Sequence, residues 1–90
     1  MAIGNSAYVR KHYGAELVRI EKEFDALLER MREEHPRSSN ARTGSLRVAL
    51  EHHTSKHTHA CHGISVWRGA NGKVEWRPMS FWGGKAHIHL

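Results

Sequence analysis

His52, His53, His57, His59 and His62 share an 11-residue stretch with Cys61, the chain's only cysteine, and His87 and His89 stand near its C-terminal end. Imidazole titrates near neutral pH, ligates metals and shuttles protons, so a cluster of this density is chemically equipped. His57, His59 and Cys61 occupy alternate positions. On a strand all three would project to one side, and zinc accepts both imidazole nitrogen and thiolate sulfur. His87 or His89 would complete the set, which makes zinc or another divalent transition metal the cofactor class these residues suit. The spacing departs from that of closed zinc sites, whose ligands come in pairs around tight turns. Histidines that face solvent or are satisfied by hydrogen bonds are therefore the alternative.

Two imidazoles can also act as acid and base in RNA cleavage, and His57 with His59 would be the pair. Cys61 beside His59 or His62 offers a nucleophile, against the simpler view of a lone thiol used for packing. The glycines add no phosphate loop of Walker or dinucleotide type. Gly69-Ala70-Asn71-Gly72 and Gly83-Gly84 read as turns.

Ninety residues predict one domain, 1–90, with a thin core, because a chain of this length buries only about 60–65% of the surface it exposes when unfolded. One cysteine rules out an intramolecular disulfide and suits a reducing, cytoplasmic setting. The opening Met1-Ala2-Ile3-Gly4-Asn5-Ser6 lacks a signal-peptide core, and no run approaches membrane-spanning length, so no membrane partner is expected. The formal charge of +5 is divided unevenly. Residues 1–35 carry six Lys/Arg against seven Asp/Glu, whereas residues 36–90 carry eight against Glu51 and Glu75 alone. A basic half of this kind points to a polyanionic partner, nucleic acid above all, or else to a surface charged for solubility.

The elements that must position these residues follow from periodicity. Leu17, Ile20, Phe24, Leu27 and Met31 recur at spacings of three and four, with Leu28 beside them and Val9 and Tyr13 before them, which predicts one long helix over 6–35 ended by Pro36. The same stripe reads as a short heptad, so the helix would either lie across a sheet or pair with a second copy as a homodimer. Residues 36–45 read as a basic loop. From Leu46 the period becomes two. Leu46, Val48 and Leu50 predict a strand, and Ile64–Arg68 and Lys73–Arg77 flank Asn71-Gly72, the sequence of a two-residue type I′ hairpin. That turn pairs Ala70 with Lys73, Arg68 with Glu75, and Trp67 with Trp76. Ala86, Ile88 and Leu90 predict a fourth strand. The expected architecture is α+β, one long N-terminal helix packed on a four-stranded antiparallel sheet spanning 46–90.

Parity then assigns faces. With Leu46, Val48 and Leu50 on the side of Ala60, Ile64 and Val66, the other side would carry Glu51, His53, His57, His59, Cys61, Trp67 and Trp76, joined by His87 and His89. Such a face could stack unpaired bases on its indoles, with Arg37, Arg42, Arg47 and Lys85 holding phosphates at its edges. The competing arrangement lays the helix on the tryptophans and makes them core. Trp82 reads as a plug at the sheet edge. Three functions compete on these residues: a small basic protein binding single-stranded RNA or DNA; a non-enzymatic inhibitor or adaptor of a mobile element (phage or plasmid) docking on a larger protein complex; and a histidine-dependent nuclease or toxin.

Overall fold

A computed structural model describes residues 6–50, 61–81 and 86–90. Four helices precede and flank four strands: α1 (Ser6–His12), α2 (Gly14–Lys22), α3 (Phe24–Glu34), α4 (Ser39–Thr43), β1 (Leu46–Ala49), β2 (Cys61–Arg68), β3 (Val74–Phe81) and β4 (Ile88–His89). The α+β class stands. The single long helix and the purely antiparallel sheet do not.

The expected helix is broken twice, at Tyr13 (φ −129°, ψ 29°) and at Glu23 (φ −106°, ψ 17°). The hydrogen-bond ladder nevertheless runs across both joints. Tyr13 and Glu23 donate to the Val9 and Arg19 carbonyls at 2.8 and 2.9 Å, and Leu17 and Leu27 donate to the Tyr13 and Glu23 carbonyls at 2.9 Å. Length supplies a physical reason for the bends. A straight helix over 6–34 would run about 44 Å, beyond the 36 Å longest extent of the molecule. Bending keeps Val9, Ile20, Phe24, Leu27, Leu28 and Met31 in one buried cluster with the sheet. The apolar stripe is thus used inside the chain.

The expected loop 36–45 contains a short helix. Ser38 caps α4 by accepting from the Asn40 N–H at 3.1 Å, and Gly44 ends it in the left-handed region (φ +88°). Gly44 and Ser45 both return N–H groups to the Asn40 carbonyl. Ser before and Gly after a segment are ordinary helix punctuation, and a five-residue segment with only Ala41 apolar concealed it. Ala41 goes into the core, and its carbonyl accepts from Arg32 Nε at 3.1 Å.

The sheet order is β3-β2-β1-β4, with β1 antiparallel to β2, β2 antiparallel to β3, and β4 parallel to β1. The β1–β2 register matches the parity argument, Leu46 facing Val66 and Val48 facing Ile64. Alternation in the last residues fixed which side of β4 is apolar but not its direction or its neighbour. One constraint favours β1. Gly69 N–H donates to the Lys73 carbonyl, so by alternation the backbone groups of Val74, Trp76, Pro78 and Ser80 point away from β2. Pro78 has no N–H to give there, which makes the outer side of β3 a poor partner. Ile88 instead lies beside Val48 and is only 1% exposed.

The β2–β3 hairpin differs from expectation by one residue. Gly72 N–H donates to the Gly69 carbonyl at 2.9 Å, and Gly72 takes φ +86°. The loop is therefore the three-residue type, a turn followed by a left-handed glycine. A type I′ turn needs positive φ at Asn71 as well, and among the described residues only glycines adopt it. Asn71 instead accepts from the Lys73 N–H through Oδ1 at 3.0 Å. Consequently Trp67 faces Glu75, Arg68 faces Val74, and Trp76 faces Val66. A one-residue slip exchanges faces. Trp67 and Trp76 lie on opposite sides of the sheet, which overturns their predicted pairing.

Candidate nucleic-acid interface

The helical side of the sheet takes Leu46, Val48, Ile64, Val66 and Ile88, all at most 1% exposed. It also takes Trp76, half-buried against this core with the Arg10 guanidinium 5.2 Å from its ring centroid. Trp76 therefore belongs to the packing of α1 and α2 on β3, and it is not beside Trp67. Arg68 lies on the same side. It reaches Asp25 Oδ1 at 3.0 Å and the Gly72 carbonyl at 2.8 Å, and stands 5.1 Å from the Phe24 centroid, tying the hairpin to α3.

Directly opposed residues share a face, so the other side of the sheet can be built row by row. Nearest the hairpin, Trp67 of β2 faces Glu75 of β3. The next row runs Arg47, Ser65, Arg77 across β1, β2 and β3. The third runs Ala49, Gly63, Met79, with His89 on the far side of Ala49. Ala49 and Gly63 are buried, with Met79 against Ala49; Trp67, Ser65 and Arg47 are half-buried and Arg77 is exposed. The hairpin end of this face is therefore its accessible part.

Charge on this face is lopsided. Arg19, Arg30, Arg32 and Arg68 each pair with a carboxylate. Among the described residues Arg37, Arg42, Arg47 and Arg77 form no ion pair. Glu75, the one acidic residue of the face among the described residues, turns toward the loop: a Cβ added at Gly69 would sit 2.6 Å from its Oε2. Arg47 contributes a further feature, since its Nε is buried and has no hydrogen-bond partner. Of the expected phosphate contacts, Arg37 follows α3 and Arg42 lies on α4, both exposed, and Arg47 takes its place in the central row. Lys85 lies outside the described residues. Arg77 was missed because the type I′ register turned it to the helical side, and the sign that would have found it is Gly72 placed third in an Ala70-Asn71-Gly72 loop. Ser65 lay on the open face of the expected sheet beside Trp67 and was not singled out.

The histidine cluster is only partly placed. His57 and His59 lie outside the described residues, as do Glu51 to Ala60 in general and Trp82 to Lys85. Cys61 opens β2 opposite Phe81 in register. His87 and His89 have ring centroids 5.0 Å apart in an edge-on arrangement, and the His87 carbonyl is 3.0 Å from His35 Nε2. Among the described residues no three His, Cys, Asp or Glu side chains are grouped to hold a metal ion. No described helix is long and apolar enough to cross a membrane.

No family model matches the chain, and no curated protein or solved structure is significantly similar to it.

Proposed function

We propose that this protein binds single-stranded nucleic acid on the face of the sheet opposite the helices. One observation carries the reading. Trp67 stands next to a row holding Arg47 and Arg77, neither of which has a carboxylate partner among the described residues. A flat aromatic ring beside free guanidinium groups on a sheet suits unpaired bases and their phosphates, because stacking accepts any base and cations follow the backbone. Arg37, between α3 and α4, and Arg42 on α4 would add to the positive field. Trp76, half-buried on the helical side, has no part in it.

The test is the salt dependence of binding to a fluorescent oligothymidylate or oligouridylate. With three to four arginines engaged, the slope of log K against log salt should be about −2 to −3, at roughly −0.7 per phosphate neutralised. Replacing Arg47 and Arg77 by alanine should flatten it by about 1.4. Binding that ignores salt, or none at low salt, contradicts the reading.

A second reading, an adaptor docking on a larger protein, is favoured by a different place. Val18 on α2 is 60% exposed beside a groove of about 130 Å³ lined by Leu17, Ile20, Val74 and Trp76. Co-purification of a protein partner after nuclease treatment, lost on Val18→Asp, would favour it.

A further inference from the structure

We propose that Arg47, Ser65 and Arg77 form a defined seat for one phosphate group, with Arg47 as its orienting member. The inference rests on the nucleic-acid reading above, in which the phosphate is a phosphodiester of the bound strand. Three facts lead to it. First, Arg47 Nε is the one buried side-chain nitrogen or oxygen without a hydrogen-bond partner among the described residues. A buried N–H left unpaired is costly, and a rotation of the half-buried side chain that brings it to a ligand oxygen would satisfy it. Second, the register puts a hydroxyl between two guanidinium groups, Ser65 facing Arg47 on one side and Arg77 on the other. Neither arginine has an ion-pair partner among the described residues, so a positive field converges on a group that can donate a hydrogen bond. Third, the same face of β2 carries Trp67 on one side of Ser65 and Gly63, which has no side chain, on the other. The strand rise puts Trp67 about 6.6 Å along β2 from Ser65, so the row lies next to a ring on which a base can stack.

The chemistry selects phosphate over a lone carboxylate. Two guanidinium groups and a hydroxyl offer more donors than two carboxylate oxygens take up, and the Nε edge of an arginine presents two parallel N–H bonds to a tetrahedral oxyanion. Lysine lacks that fork and cannot replace an arginine held by its Nε. Arg47 and Arg77 should therefore respond differently to the same conservative change. Half-buried Arg47, whose Nε has no hydrogen-bond partner, is the geometric member. Exposed Arg77 supplies charge.

The experiment follows arginine Nε–H resonances by NMR in nuclease-treated protein, titrated separately with inorganic phosphate and with an oligothymidylate. Arg30 Nε, already bonded to Glu34 Oε2 at 3.0 Å, is the internal reference. The seat predicts that both ligands move Arg47 Nε–H and leave Arg30 unmoved. Arg47→Lys should weaken phosphate binding by about tenfold, the scale of one lost charge-assisted hydrogen bond, whereas Arg77→Lys should retain most of it. Amide spectra of both variants, unchanged in β2 and β3, show that the fold persists. If phosphate moves Arg47 and the oligonucleotide does not, the seat stands as a site for free phosphate or phosphate monoesters and the strand reading falls. If the oligonucleotide binds while Arg47 Nε–H stays still, or if Arg47→Lys binds phosphate like the parent, the seat is overturned and the strand reading survives. No shift at Arg47 with either ligand also overturns it.

Discussion

At the scale of single residues, the two central tryptophans stand on opposite sides of the sheet despite their similar surroundings in sequence. Each is followed by arginine and lies in a β-rich segment, so composition alone cannot tell them apart. The register does. Trp76 faces Val66 and packs against the helices, while Trp67 faces Glu75 on the other side. Substitution should therefore separate the two readouts. Trp67→Ala is expected to reduce affinity for a single strand by about 1–3 kcal/mol, the value of one base–aromatic stack, with little change in the urea midpoint. Trp76→Ala is expected to lower stability by about 2–4 kcal/mol, near the lower part of the range for large aromatic truncations because the ring is only half-buried, and to leave the affinity of the folded fraction unchanged. Equal effects on both measurements in both variants would mean that the faces have been assigned wrongly. The alternation of Leu46, Val48, Ile64 and Val66 was legible because aliphatic residues recur at period two. The facing of the tryptophans was not, because it depends on whether the hairpin loop holds two residues or three.

At the scale of elements, the sequence conveyed types better than directions or lengths. The stripe from Val9 to Met31 announced helix, and helix it is, in three pieces. Periodicity reports which side is apolar and is insensitive to a bend that preserves the stripe, so the joints at Tyr13 and Glu23 left no mark beyond Gly14. The parallel pairing of β4 was likewise hidden, since a short apolar alternation reads the same in either direction. Pro78 is the residue from which the edge could have been inferred. It occupies an outward-pointing position on β3, where an N–H would otherwise invite another strand. Pro78→Thr should restore that donor and raise self-association through the β3 edge, seen as a concentration-dependent increase in mass by light scattering. A variant that remains as monodisperse as the parent would show that the proline does not guard this edge.

At the scale of the whole molecule, paired and unpaired arginines are divided between regions of the fold. Arginines among the helices are largely committed: Arg19 to Glu23, Arg30 to Glu34, Arg32 to Glu29, and Arg10 to the Trp76 ring. The exposed ion pairs among these add little stability, typically about 0–1 kcal/mol each, but their carboxylates cancel the local field. Arg37, Arg42, Arg47 and Arg77 have no carboxylate partner among the described residues, and two of them, Arg47 and Arg77, share the face opposite the helices. The charge asymmetry read from composition thus acquires a location, whereas His52, His53, His57 and His59 of the histidine cluster lie outside the described residues. The most direct measurement of the central claim is photocrosslinking of a 5-bromouridine-containing single strand, with the attached peptides mapped by mass spectrometry. Crosslinks at Trp67 and neighbouring β2 and β3 residues of the face opposite the helices are the predicted result. Crosslinks confined to the outer surface of α1 and α2, or to Val18 and Trp76, would contradict it.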